Sequence, residues 1–121
     1  MNRSPLEAKT WLVNEIIGKA SWCGYVAKLF PNDSRSERCS SKLNALAAYL
    51  YALPETHRLF NELAQIQRIE ARSCERWLDE MQLEFSYLGY MFEGGEQQAV
   101  ERLIEIADAG LEECQQAGGR R

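Results

Sequence analysis

The chain has 121 residues, of which 45% are apolar and 26% charged, and carries a formal net charge of −4. These values suit one compact domain, or a small domain with an oligomerisation segment, and exclude global disorder. No apolar run approaches the roughly 18 to 20 residues that span a bilayer.

The opening MNRSPLEAKTW has neither a continuous apolar core nor a small-residue cleavage site. It reads as no signal peptide, and a cytoplasmic location is expected. From Met1 to Leu43, seven Lys/Arg stand against four acids, giving +3. From Asn44 to Arg121, seven arginines stand against fourteen acids, giving −7. A basic front and an acidic back suggest different partners for the two parts.

In chain order, Ser4 and Pro5 form a helix start, with Ser4 as the cap. Leu6, Leu12, Val13, Ile16, Ile17 and Ala20 supply an apolar face, so a first helix is expected through about Ala20. Trp22, Val26, Leu29 and Phe30 suggest a short second helix, with Gly24 inside or before it. Pro31-Asn32-Asp33 stops it, because a residue preceding proline is pushed out of the helical region. Ser34-Arg35-Ser36-Glu37 has the form of a capping box. A third helix then follows through Leu53, burying Leu43, Leu46, Ala47, Leu50 and Leu53.

Beyond Pro54 an apolar heptad runs Phe60, Ala64, Gln67, Ala71, Cys74, Leu78, Met81, Phe85, Leu88 and Phe92, in alternating steps of four and three. That period predicts one long helix from Pro54 to about Glu93, ended by Gly94-Gly95. Leu59, Leu63 and Ile66 lie on an adjoining face and are expected to pack on the first helices. A last helix, from about Glu96 to Gln116, has its own heptad of Val100, Ile104, Ala107, Leu111 and Cys114. Two heptad helices joined by Gly-Gly fold back most simply as an antiparallel hairpin. Reflection about the turn sets Phe85 near Ile104, Leu78 near Leu111 and Cys74 near Cys114. No sustained period-two pattern predicts a strand. The expected fold is all-α with about five helices. Residues 1–53 form a small basic module, 54–117 a long-helix hairpin for packing and dimerisation, and 118–121 a frayed tail.

Three constellations bear on function. Arg35, Arg38 and Lys42 share one helix face, with Ser36, Ser40, Ser41 and Asn44 beside them. A short helix, a turn and a second helix with a polar, basic leading half is how a helix-turn-helix meets duplex DNA. Here the cations would hold phosphate, and the serines and Asn44 would reach bases or sugar. The plain alternative is a solvated helix face with three cations.

The second constellation is the seam of Leu78, Met81, Phe85, Leu88 and Phe92 with Val100, Ile104 and Leu111. With Trp77, Leu83, Tyr87, Tyr90 and Met91 outside it, the seam offers more apolar surface than one hairpin buries, and a homodimer would cover the rest. The third is an acidic surface, including Glu75, Asp79, Glu80 and Glu84, interleaved with arginines; it reads as a salt-bridged, solvated face able to meet a basic partner.

The cysteines at 23, 39, 74 and 114 form no close ligand pairs, so no metal or cofactor is expected and the thiols read as small apolar groups. The single histidine, His57, reads as an exposed first-turn residue. With no nucleophile motif or phosphate loop, a non-enzyme is expected. The leading expectation is a small DNA-binding transcriptional regulator acting as a helical homodimer. Its rival is a protein-interaction module that engages a partner protein through an acidic or aromatic helical surface.

Overall fold

The computed structural model describes residues 4–68 and 75–119, and every regular element among them is an α-helix. Helix α1 spans Pro5–Leu29. The Ser4 hydroxyl accepts from the Glu7 amide, and the Glu7 carboxylate accepts from the Ser4 amide, so the two close a capping box around Pro5. The helix does not break near Ala20 as expected. Ala8, Leu12, Ile16, Ala20 and Cys23 keep one buried face in register through the predicted break. A glycine inside a helix costs about 1 kcal/mol against alanine. At Gly24 a Cβ would lie 3.5 Å from Ser40 Oγ, an ordinary van der Waals distance, so the α1–α2 packing does not require glycine there.

After Phe30–Asp33, α2 spans Ser34–Ala52. Its cap is Asp33 rather than Ser34: the Asp33 carboxylate accepts the Arg35 amide and is also gripped by the Arg35 guanidinium at 2.7 Å. One short side chain thus supplies both the cap and an ion pair. Helix α2 ends against Pro54, as the sequence predicts.

Two contacts fix how α1 and α2 lie. Lys9 Nζ donates to the Leu53 carbonyl at 2.6 Å, and Cys23 Sγ meets Cys39 Sγ at 2.6 Å. Fourteen residues along one helix match fourteen along the other, so the pair stays side by side for about 21 Å. This is an antiparallel hairpin. The helices of a helix-turn-helix diverge at roughly 90–120°, whereas α1 and α2 stay in contact from Cys23 and Cys39 to Lys9 and Leu53.

Helix α3 spans Arg58–Arg68, α4 spans Glu75–Tyr90 and α5 spans Glu96–Gly119. Of the predicted long helix from Pro54 to about Glu93, residues 69–74 lie outside the described residues, and the parts on either side, α3 and α4, do not lie on one straight line. Arg102 of α5 reaches Glu84 of α4 at 2.8 Å, while Asp108 of α5 reaches Arg58 of α3 at 2.6 Å. Arg102 and Asp108 are about 9 Å apart along α5, whereas Glu84 and Arg58 would be about 39 Å apart on one straight helix. No side chains bridge that difference. Helices α3 and α4 therefore both lean on α5, which packs chiefly along α3, while α4 packs chiefly along α2. Helix α4 also stops earlier than expected, at Tyr90, where the Met91 and Phe92 amides both turn back to the Tyr87 carbonyl. Gly118 and Gly119, assigned to the frayed tail, belong to α5.

One apolar cluster draws on all five helices. Leu12 and Ile16 of α1, Leu43 and Leu50 of α2, Leu59, Phe60 and Leu63 of α3, Met81 of α4 and Leu103 of α5 are almost completely buried. Each such side chain contributes about 1.5–3 kcal/mol when taken from water. Leu59, Leu63 and Ile66 face the rest of the molecule as expected.

Candidate functional site

The basic segment of α2 is largely spent on the molecule's own structure. Arg35 is 74% exposed in its side chain but paired with Asp33, whose carboxyl it holds down at about 2. Lys42 Nζ donates to the Phe92 carbonyl at 2.7 Å, just past the end of α4. Ser36 is buried, its Oγ 3.4 Å from the Tyr90 hydroxyl. Ser40 is half-buried beside Gly24. Arg38, Ser41 and Asn44 are exposed, as is Arg35 within its ion pair. The structure therefore does not present the seven residues as one open face.

Lys9 is used in the same way as Lys42. It caps the end of α2 and lies 5.4 Å from the Tyr51 ring centre and 5.7 Å from that of Phe60. Two of the seven cations that make the front basic are thus helix-end caps. Their partners lie 44 and 50 residues away, a separation that no local sequence pattern reports.

The expected dimer seam is interior. Met81, Phe85, Leu88 and Val100 are at most 5% exposed within a single chain. Phe92, Ile104 and Leu111 are half-buried and pack on the same core. The Leu78 side chain and the expected Cys74–Cys114 proximity lie outside the described residues. A second chain would have to use other surface. His57 is half-buried rather than exposed: its Nδ1 accepts the Leu59 amide at 3.2 Å and starts α3. Among the described residues no three metal-binding side chains gather, and no helix is long and apolar enough to cross a membrane.

The feature that sequence reading missed lies on the outer side of α1. Trp11, Glu15, Gly18, Trp22, Tyr25 and Leu29 follow in steps of four and three. This is a second heptad, turned roughly 120° from the buried face at 100° per residue. Trp11 is half-buried, but Trp22, Tyr25 and Leu29 are 55–56% exposed, and the Trp22 and Tyr25 rings lie 5.8 Å apart. Nothing stands within 4 Å of a Cβ placed on Gly18, so the middle of the seam is open. At its far end Val26 and Phe30 meet Tyr90 and Met91 around an open hollow of about 510 Å³, edged by Asp33, Arg35 and Ser36. Phe30 is 61% and Met91 68% exposed. Among the exposed side chains, Trp22 and Tyr25 lie side by side, and aromatic residues are enriched at protein–protein interfaces. The signal was in the sequence, at the same spacing as the long heptad, but Glu15 and Gly18 interrupt its apolar character.

No family model, curated protein or solved structure matches the chain.

Proposed function

We propose that the protein is a non-enzymatic protein-interaction module whose outer α1 face docks an amphipathic helix of a partner protein. The observation that carries this reading is the two-faced α1. One face builds the core, while Trp22, Tyr25 and Leu29 stand exposed at heptad spacing, and Phe30 and Met91 are exposed as well. A partner helix reads anchors at that spacing, and aromatic anchors dominate such interfaces. Gly18 in mid-seam leaves room for close helix approach. Duplex DNA as the partner has less support, since of the expected contacts only Arg35, Arg38, Ser41 and Asn44 are open, Arg35 is paired with Asp33, and Lys42 is turned to the Phe92 carbonyl.

The test compares three purified baits in the host extract: wild type, Trp22→Ala/Leu29→Ala and Arg38→Ala, each also titrated with random duplex DNA at low salt. A bound protein retained by Arg38→Ala and lost by the double variant is the expected result. Salt-sensitive duplex binding that Arg38→Ala abolishes would overturn the reading in favour of a nucleic-acid partner. Sedimentation of the same samples identifies a second copy of the chain as the occupant if wild type is dimeric and the double variant monomeric.

A further inference from the structure

Cys23 of α1 and Cys39 of α2 are both completely buried, and their sulfurs meet at 2.6 Å across the helical hairpin. A disulfide needs sulfurs about 2.05 Å apart on side chains that face one another. The hairpin supplies that facing, because Pro31 stands midway between the two cysteines and the helices on either side run antiparallel. Helix α4 closes the pair from above: Gly89 lies so near Cys39 Sγ that a Cβ there would clash with it. The Tyr90 hydroxyl lies 3.5 Å from Cys23 Sγ, which donates to it, and 3.4 Å from Ser36 Oγ.

We propose that Cys23 and Cys39 form a reversible intrachain disulfide that staples α1 to α2 beneath the exposed aromatic end. The oxidant is a low-molecular-weight disulfide such as oxidised glutathione. One cysteine, as thiolate, attacks it, displacing one reduced thiol and leaving a mixed disulfide. The second cysteine, also as thiolate, attacks the protein sulfur of that mixed disulfide and displaces the other reduced thiol. The two protein thiols lose two protons and two electrons, and the oxidant is reduced to two thiols.

Burial pushes the Cys39 thiol up to about 12, so the closed reduced protein holds little thiolate there and exchange proceeds through opening of the hairpin end. Oxidation removes the thiol hydrogen that Cys23 offers Tyr90. Tyr90 lines the open hollow with Phe30 and Met91, so the redox state is felt at that surface.

The test refolds the full wild-type chain in glutathione buffers of graded ratio, traps free thiols by alkylation and maps peptides by mass. The expected product is two hydrogens lighter, with the bond between the peptides containing Cys23 and Cys39. It should form at a glutathione ratio at least tenfold less oxidising than the same chain requires in denaturant. Bonds from either residue to Cys74 or Cys114, glutathione adducts in place of the bond, free thiols at every ratio, or an equal requirement in denaturant would each overturn the proposal. The mapping needs no variant, so a folding defect cannot obscure it.

Discussion

At the scale of single residues, Glu62 is the group most at odds with its surroundings. It is 8% exposed, and its Oε1 receives Arg58 Nε at 2.6 Å while its Oε2 has no hydrogen-bond partner. Arg58 divides its charge, donating also to Asp108 at 2.6 Å. Burial, and then the nearby Asp108 carboxylate, raise the Glu62 carboxyl above its ordinary value of 4.5, against the pull of Arg58. The consequence for stability has a definite sign. Between 4.5 and the raised folded value, the folded chain holds a proton that the unfolded chain has released. This contribution to stability is therefore complete below 4.5 and is lost as pH rises through the folded value. Thermal unfolding of wild type and Glu62→Gln across pH 4.5–8 should show wild type gaining on the variant as the pH falls. A difference that is constant with pH would mean that Glu62 ionises as freely in the folded chain as in the unfolded one.

At the scale of helices, the stop signals were legible and their consequences in space were not. Ser4-Pro5, Pro31-Asn32-Asp33, Pro54 and Gly94-Gly95 each bound a real element, because capping and proline exclusion act within a few residues. The heptad from Phe60 to Phe92 misled because a period reports that a face is covered, not that one straight helix continues beneath it. The same spacing from Trp11 to Leu29 escaped notice, and there part of the face is left open. The basic stripe fared similarly. Its charges could be counted, but the carbonyl that Lys42 caps lies 50 residues away. This structural use makes a prediction that separates Lys42 from Arg38. A hydrogen bond from a charged donor contributes about 1.5–3 kcal/mol when well shielded, and Lys42 is only half-buried. Lys42→Met should therefore cost roughly 1 kcal/mol and lower the melting temperature by about 4 °C. Arg38→Ala, exposed on the same helix, should stay within about 0.5 kcal/mol of wild type. Thermal melts of the two variants decide it, and equal effects would remove the capping role assigned to Lys42.

At the scale of the whole molecule, the sequence suggests a basic module at 1–53 and a separate helical hairpin at 54–117, whereas the packing argues for one cooperative unit. Helix α3 covers α1, α4 covers α2, and α5 closes over α3 with its margins on α2 and α4. The core residues of the front half are thus buried by elements of the back half. Leu103 of α5 is fully buried in this shared cluster. Leucine-to-alanine changes at such sites cost about 2–5 kcal/mol, through lost transfer energy and the cavity left behind. If the front were independent, that loss would fall on the back half alone. In a single unit it is felt by every helix, because α1 and α2 cannot stay folded once α3 and α4 are released from their outer faces. Amide exchange in wild type and Leu103→Ala measures this helix by helix. The expected result is a similar loss of protection in the slowest-exchanging amides of α1, α2 and α3. Unchanged protection in α1 and α2, with loss confined to α3 and α5, would mean that the front half folds alone and that the continuous core is only a contact between two domains.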